Sequence, residues 1–424
     1  MTNEISRKRW LSAGIIPIVF FYLCEFRFFY LIPLPAKLVA GSTNRVLIAM
    51  FSVALFIVWL ALNKKFRFGY FGKAFIMVFA VVSVSTILSA FEFGYKMTQV
   101  LWGIIPYFIL FLFFPAKKYL SDKDTMERFI VIGEVSVIVM TVLFLVQYRR
   151  YVAGGSFFLK LVDMIDDHYL WHPEEGMRIR NVFDGFSRVF AIVIADRILE
   201  KKFKHCILDI VAYVALIAAI LIIDKSRLYL LIVLFSSISI LIYRARKRIT
   251  APIFLIGSVA ILGGIGVMLV KFSSIISSIS DNSGSWYARV GGSVHFLKIG
   301  LEHFFFGIGM ADHEAIKSVE KYVRGIEGIY YPDDVGIIGV FALTGILGLV
   351  LYIFLIAKVF KCFKCARTNK PLLFGLFICI LTSSVLSSYF DRTRLMALVF
   401  TAVLCEINSH TGVNEYEFNY IDRL

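Results

Sequence analysis

Long apolar runs alternate with polar segments along the whole chain. A helix needs about 20 mostly apolar residues to cross the hydrocarbon core of a bilayer. The pattern therefore predicts twelve membrane-spanning helices, at 11–32, 45–62, 74–91, 99–115, 129–147, 182–199, 207–223, 228–243, 252–271, 335–357, 372–390 and 395–408. The sixth run is the most interrupted, because Asp184, Arg188 and Asp196 lie within it.

Two of the polar segments are much longer than the others, at 148–181 and 272–334. The second contains two stretches with helical periodicity, Trp286 to Phe305 and Ala311 to Val323. We therefore expect an all-α fold, a polytopic membrane helix bundle of about 12 transmembrane helices with a large, partly helical extracytoplasmic loop.

The composition agrees with a membrane protein. Of the 424 residues, 59% are hydrophobic and 18% are charged, whereas soluble domains are about 45–50% apolar and about a quarter charged. This excludes a soluble enzyme, a disordered chain and a nucleic-acid-binding protein. We expect residues 1–424 to form a single integral membrane domain that ends in a short cytoplasmic tail at 406–424.

The net charge of +15 is a topology signal in such a chain. Basic residues concentrate in alternate polar segments, at 7–9, 64–73, 117–128, 197–204, 244–248 and 358–370. Lysine and arginine accumulate in cytoplasmic loops. The pattern therefore predicts a multi-pass protein of the cytoplasmic (inner) membrane, with both termini in the cytoplasm and the two long segments outside.

A second set of arginines lies on the predicted outer side, where the orientation rule does not explain them. Three are in short outer turns, one is in the second long segment, and the others approach or enter the sixth run: Arg227, Arg392, Arg394, Arg289, Arg178, Arg180 and Arg188. Arginine near membrane depth is expensive and usually faces the protein interior or a watery cavity.

Two interpretations of these arginines remain open. Asp224 with Arg227, and Asp391 with Arg392, could be interfacial ion pairs whose side chains reach toward water. Alternatively, an outward cavity gathers guanidinium groups that bind phosphate, since their planar fork meets two phosphate oxygens at once.

Asp333 and Asp334 precede the tenth run and have two compatible roles. An aspartate here is a good helix N-cap, and a carboxylate could also accept a proton from a sugar hydroxyl as a general base. Trp286 and Tyr331 could stack on sugar rings, although aromatic belts at membrane interfaces use the same residues.

Two further features of the second long segment have simple interpretations. Gly307-Ile308-Gly309 lacks the surroundings of a nucleotide loop, so it either lets backbone pass closely or breaks a helix. The spacing of its histidines does not fit a helical zinc pair, and no metal site is predicted.

Three elements resemble the O-antigen polymerase and ligase superfamily. Ser226-Arg227 through Leu231 is similar to its RxxxL element, and Arg289 followed by Gly307-Ile-Gly309 is similar to its arginine and glycine pattern. Asp334 followed by Gly345 resembles the ligases' HxxxxxxxxxxG element, with aspartate in place of histidine. That departure favours the polymerase branch.

The resemblance implies a glycosyltransferase that joins undecaprenyl-pyrophosphate-linked oligosaccharide repeats at the outer face of the membrane. The product would be O-antigen, as in lipopolysaccharide, or a capsular polysaccharide. Arg227 and Arg289 would stabilise the departing pyrophosphate, and Asp333 or Asp334 would act as the base. Arg392, Arg394, Arg178, Arg180, Trp286 and Tyr331 would bind substrate. No cofactor is needed, because the lipid-linked donor supplies the energy, and a chain-length regulator could be a partner.

Two alternatives remain. An O-antigen ligase would transfer finished glycan to another acceptor. A polysaccharide flippase or transporter with 12 spans belongs to another class, for which paired repeats and helices interrupted near the membrane midplane are typical.

Overall fold

The computed structural model describes residues 16–20, 22–26, 41–62, 68–154, 183, 185–200, 206–245, 284–311, 313, 316–325 and 328–409. These residues form helices and connecting turns, with no strand among them. A short apolar helix, Ile16–Glu25, precedes twelve further helices. They are α1 Gly41–Leu62, α2 Gly69–Phe93, α3 Met97–Leu120, α4 Lys123–Val152, α5 Phe186–Glu200, α6 Ile207–Asp224, α7 Arg227–Ala245, α8 Gly284–Glu302, α9 Lys317–Arg324, α10 Gly336–Lys364, α11 Lys370–Leu386 and α12 Leu395–Asn408.

Seven helices in this part of the chain are long and apolar enough to cross a membrane: α1, α2, α3, α4, α6, α7 and α10. Two shorter apolar helices, α11 and α12, follow them. The described part of the chain is therefore all-helical and of the membrane type. The predicted run at 252–271 lies outside the described residues, so the count of twelve spans remains a prediction.

Helix α5, which coincides with the interrupted sixth run, is enclosed by other helices over most of its length. Every residue from Phe186 to Asp196 is buried, and α5 packs against α6, α7, α11 and α12. Its polar residues thus face other helices rather than lipid, which accounts for the low hydropathy of the run.

Helix α10 is broken at Gly345, where the backbone has φ 63° and ψ −164°. The break frees backbone groups, which the segment after α8 satisfies. The amides of Ile308 and Gly309 donate to the carbonyls of Ala342 and Leu343 at 2.9 and 2.8 Å, and the amide of Ile346 donates to Phe304 O at 2.7 Å. Non-helical backbone at membrane depth is tolerated when it is buried in protein in this way.

The glycines around this break allow the close approach. Gly307 has φ +65°, and a Cβ there would lie 2.4 Å from the carbonyl carbon of Leu343. A Cβ on Gly345 would lie 2.3 Å from the backbone of Phe305. The prediction that Gly307-Ile308-Gly309 lets backbone pass closely is therefore confirmed.

The second long segment does not lie wholly beyond the helix ends. Helix α8 packs along α10, and the hydroxyl of Ser85 on α2 donates to Phe306 O and to Leu343 O. Gly345 is nine residues into α10, which is about 13 Å from its start. Residues 303–311 thus enter the bundle between α2 and α10. Whether the rest of the segment is extracytoplasmic remains a prediction.

The two ends of the bundle carry different charged clusters. The turn Pro332–Asp334 and the loop 387–394 lie at the end that the charge pattern predicts to be outer. At the predicted cytoplasmic end, Arg197 contacts Asp209 at 2.5 Å and Glu134 at 3.6 Å. Arg244 pairs there with Asp196 at 2.7 Å.

Candidate functional site

The loop 387–394, which joins α11 to α12, is held in place by hydrogen bonds to two helices. Phe390 O accepts a hydrogen bond of 2.6 Å from the Tyr107 hydroxyl of α3. The amide of Tyr389 donates to the hydroxyl of Tyr352 on α10 at 3.2 Å. These contacts fix the loop backbone deep between helices rather than above them.

Asp391 organises the second half of this loop. Its carboxylate accepts from the backbone N–H of Thr393 at 3.0 Å and from the Thr393 hydroxyl at 2.6 Å, which is a local turn typical of aspartate. It also pairs with Arg394, whose Nη1 lies 3.0 Å from Oδ2. Burial opposes ionisation of this carboxyl, but Arg394 and Thr393 hold the pKa of Asp391 below its usual value.

Arg394 is buried, with 6% of its surface exposed. Its Nη1 also donates to Ser388 O at 3.0 Å, and its guanidinium lies next to Tyr229 of α7. Gly185, just before α5, makes room for it, since a Cβ there would lie 2.7 Å from Arg394 Cγ.

Arg188 is a second buried guanidinium at this end of the bundle. It is only 2% exposed, its Nη1 donates to the Ser387 hydroxyl at 3.3 Å, and its Cζ lies 3.5 Å from the centroid of the Tyr229 ring. Its Nε has no hydrogen-bond partner, and no carboxylate of the described residues lies within 4.0 Å of it. Burying a charge without such compensation is costly.

Asp333 faces the same group of charges from the turn that precedes α10. Burial and the nearby Asp391 carboxylate raise the pKa of Asp333 to about 7, against the opposing effect of Arg394 and Arg392. The carboxyl of Asp334, by contrast, is exposed. A group that titrates near neutral pH can take up and release a proton under physiological conditions.

We call Arg188, Tyr229, Asp333, Asp391 and Arg394 the charged cluster. It joins residues of α5, α7, the Pro332–Asp334 turn and the 387–394 loop. With Asp391 ionised, two guanidinium groups face one fixed carboxylate and Asp333, whose pKa of about 7 lets it exchange a proton near neutral pH. Ionised Asp333 can accept a proton, and once it is protonated the cluster carries a surplus positive charge that suits an anionic ligand.

The structure brings together only some of the predicted site residues. Asp333 and Arg394 belong to the charged cluster, and Arg392 lies close enough to affect both carboxylates although its side chain is exposed. The interpretation of Asp391 and Arg392 as an ion pair is wrong in its partner, because Asp391 pairs with Arg394.

Arg289 and Tyr331 lie near the turn that carries Asp333. Helix α8 packs against α10 and this turn, and Arg289 is one helical turn before Gly292, which faces Val335. The Nε of Arg289 is buried without a hydrogen-bond partner. The exposed ring of Tyr331 has the Arg324 guanidinium 4.4 Å from its centroid.

The remaining predicted residues cannot be placed. Arg178 and Arg180 lie outside the described residues, as do the side chains of Arg227 and Trp286. Arg227 is the first residue of α7, two positions before Tyr229. That Arg227 and Arg289 share one pocket therefore remains a prediction.

The sequence interpretation counted Arg188 among the outer arginines but gave it no role in the site, and it missed Tyr229. Arg188 was visible as an interruption of the sixth run, and such an interruption is the signal that could have identified it. Tyr229 lies within the element that contains Arg227, but a tyrosine at the start of an apolar helix is also typical of a membrane interface.

The histidines of the second long segment bond within the protein. His303 Nδ1 lies 3.0 Å from Glu92, and His295 contacts the backbone oxygens of Tyr322 and Val323 at 3.0 Å. No group of three potential metal ligands occurs among the residues that the structure describes.

Comparison with known proteins adds no family assignment. No protein-family model matches the chain. No curated protein matches it either.

Proposed function

We propose that this protein is a glycosyltransferase that polymerises undecaprenyl-pyrophosphate-linked oligosaccharide repeats at the outer face of the cytoplasmic membrane. The observation that carries the proposal is the charged cluster, in which buried Arg188 and Arg394 lie with Asp333, a carboxyl of pKa about 7. We also propose that the chain crosses the membrane twelve times with both termini in the cytoplasm.

The guanidinium groups suit the leaving group of this reaction. When a glycan leaves its lipid carrier, negative charge develops on the departing pyrophosphate. Fixed donors aimed at developing charge are a large source of catalysis, and Arg188 has an unused Nε donor for this purpose. Arg289, which also has an unused buried Nε, is a second candidate at the same end.

Asp333 is a better candidate for the base than Asp334. A general base works best when its pKa is near the operating pH, and the pKa of Asp333 is about 7. In the proposed step, a hydroxyl oxygen of the incoming repeat attacks the anomeric carbon of the growing glycan. The bond from that carbon to the pyrophosphate oxygen breaks, and the hydroxyl proton passes to Asp333.

The resemblance to O-antigen polymerases supplies the substrate class, and the site adds only that it should be anionic. Arg227, Arg178, Arg180 and Arg392 would help to hold the pyrophosphates, and Trp286 and Tyr331 would contact sugar. The lipid-linked donor supplies the energy, so no cofactor is required, and a chain-length regulator would act as a partner.

The first experiment measures extension of lipid-linked repeats by purified protein in proteoliposomes. We expect Arg188→Ala to reduce extension about a hundredfold or more, because the developing charge loses a fixed donor. Arg188→Lys should recover little, since a point charge lacks the planar fork. Arg128→Ala, at an exposed arginine of α4 in the predicted cytoplasmic region, is the matched control and should extend normally.

Two outcomes would contradict the proposal. One is wild-type protein that extends no lipid-linked repeat in this assay. The other is full-length product from a correctly folded Arg188→Ala protein, with folding judged by its elution as a single species in size-exclusion chromatography.

A ligase remains the nearest alternative, because both reactions use the same donor. The two differ in the cell when the gene is deleted. Loss of a polymerase leaves single repeats attached to the acceptor, whereas loss of a ligase leaves lipid-linked polymer unattached.

One observation favours a transporter, namely the break in α10 at Gly345. Transporters use such breaks to expose backbone carbonyls to a substrate or ion. Here Ile308 and Gly309 already occupy the carbonyls of Ala342 and Leu343. These two carbonyls are therefore not free to bind a substrate or ion, and the glycosyltransferase remains the better proposal.

A further inference from the structure

A cleft of about 420 Å³ opens between α2 and α10 at the end of the bundle opposite the charged cluster. Its lining includes Lys73 and Lys358, together with Tyr70, Met77 and Phe354. We call it the lysine cleft. The charge pattern predicts that this end of the bundle faces the cytoplasm.

Lys358 is the buried lysine of the lysine cleft, and Tyr70 holds its side chain in place. Its side chain is buried, its Nζ donates to Tyr70 O at 2.6 Å, and the same atom lies 3.6 Å from the centroid of the Tyr70 ring. An ammonium group has three donors. One is used on Tyr70 O, so two remain for a ligand.

Lys73 and Lys361 add positive charge around Lys358. Lys73 is exposed in the lining, and Lys361 Nζ lies 5.9 Å from the Tyr70 ring centroid. No carboxylate in the described part of the chain lies within 4.0 Å of any of the three lysines. Lys73 and Lys358 thus line the opening with Lys361 nearby, and none of the three has a paired acid among the described residues.

The nearest carboxylate, that of Glu406, is committed elsewhere. It pairs with Lys117 and accepts from the backbone amides of Tyr70 and Phe71 at 3.0 and 3.3 Å. It thereby caps the start of α2, so the helix terminus itself is satisfied. The surplus charge of the cleft comes from lysine side chains alone.

The other wall of the cleft is apolar and continues onto the surface of the bundle. Met77 is 50% exposed and Phe354 is 45% exposed, and both are on helices long enough to span a membrane. Apolar side chains exposed on such helices face lipid chains. The lysine cleft thus has a basic mouth joined to an apolar wall, which matches an amphiphile with an anionic head.

We propose that the lysine cleft binds the phosphate headgroup of an anionic phospholipid from the cytoplasmic leaflet. Lys73, Lys358 and Lys361 contact the phosphate, and an acyl chain lies along Met77 and Phe354. Basic pockets between membrane helices on this side are suited to such headgroups. A choline headgroup is disfavoured, because its quaternary ammonium would meet three like charges, and Lys358 already covers the face of Tyr70.

The test is lipid binding to the full-length protein in detergent, measured by native mass spectrometry with dioleoyl phosphatidylglycerol and dioleoyl phosphatidylcholine. We expect the wild-type protein to retain phosphatidylglycerol in preference to phosphatidylcholine. Lys73→Gln, at an exposed lysine with no ion pair among the described residues, should weaken binding of the phosphatidylglycerol about fivefold. The double variant Lys73→Gln and Lys361→Gln should weaken it about thirtyfold.

Lys123→Gln is the matched control, because it removes the same charge at the same predicted end but away from the cleft. It should bind both lipids as the wild type does. Equal retention of the two lipids by the wild-type protein would overturn the proposal, as would unchanged binding in the double variant. Displacement of the lipid by millimolar inorganic phosphate would assign the lysines to a free anion instead. The charged cluster is not involved, so the outcome is independent of the proposed activity.

Discussion

Asp333 gives the molecule a titratable group whose ionisation opposes folding. Its pKa is about 7 against an ordinary value of 3.8, chiefly because of burial and then because of Asp391. The folded state therefore holds this proton more tightly than the unfolded state does. Its contribution to stability is present below about pH 4 and is lost as the pH rises toward about 7.

This sign leads to a prediction for Asp333→Asn. The wild-type melting temperature should fall more steeply between pH 5 and pH 8 than that of the variant, because the variant carries no charge to bury. Asp334→Asn, at the exposed neighbouring position, is the control and should change the pH dependence much less, because Asp334 makes the smallest contribution to the raised pKa of Asp333. The measurement is thermal unfolding in detergent at several pH values, and parallel curves for wild type and Asp333→Asn would contradict the assigned pKa.

Site residues could be predicted from their chemistry and their predicted side of the membrane. Their interaction partners could not, because those depend on how the helices pack. The sequence marked Arg394 because it lies on the predicted outer side without a topological reason, and Asp333 because a carboxylate before the tenth run could cap a helix or act as a base. It could not show that Asp391 turns onto Thr393 and selects Arg394 rather than the adjacent Arg392. Nor could it show that Arg188 stacks on Tyr229, because that contact joins different helices.

At the scale of elements, Gly345 is the residue on which the break of α10 depends. Its φ of +63° is strained for any residue with a side chain, and a Cβ would meet the backbone of Phe305 at 2.3 Å. We expect Gly345→Ala to destabilise the protein by about 1–3 kcal/mol, through crowding and left-handed strain together.

The control for Gly345→Ala is Gly94→Ala. Gly94 has φ +73°, but a Cβ there has nothing within 4 Å, so only the strain applies. The measurement is chemical unfolding of both variants in the same detergent. Equal losses of stability would mean that the contact with Phe305 contributes nothing.

The apolar pattern located most helices well but not the backbone that enters between them. The predicted run 395–408 coincides with α12, and 99–115 lies within α3 Met97–Leu120. The predicted stretch Ala311 to Val323 was too long, since α9 begins at Lys317. The insertion of 303–311 depends on hydrogen bonds to Ala342 and Leu343, far along the chain, and local periodicity contains no trace of them.

At the scale of the whole molecule, the cysteines offer a direct test of orientation. Five of the six are buried, and only Cys365, at the end of α10, is exposed. A maleimide that cannot cross the membrane should not label this protein in intact cells. It should label Cys365 once the cells are permeabilised. Replacement Cys365→Ser is the control that identifies the labelled site.

Labelling of Cys365 in intact cells would show that the predicted orientation is wrong. The lysine cleft would then face outward and the charged cluster inward, which no outer-leaflet polymerase could use. Charge asymmetry alone carries this part of the prediction, because the helices and their packing are the same in either orientation.

The hydrogen bonds between residues 304–309 and α10 also constrain the order in which the protein is built. Ribosomes deliver the chain from its amino end, so Ile308 and Gly309 are made before the carbonyls of Ala342 and Leu343 exist. Unsatisfied amides are not stable in hydrocarbon. Residues 303–311 must therefore stay in water or within the insertion machinery until α10 has been made. They dock against α10 only afterwards.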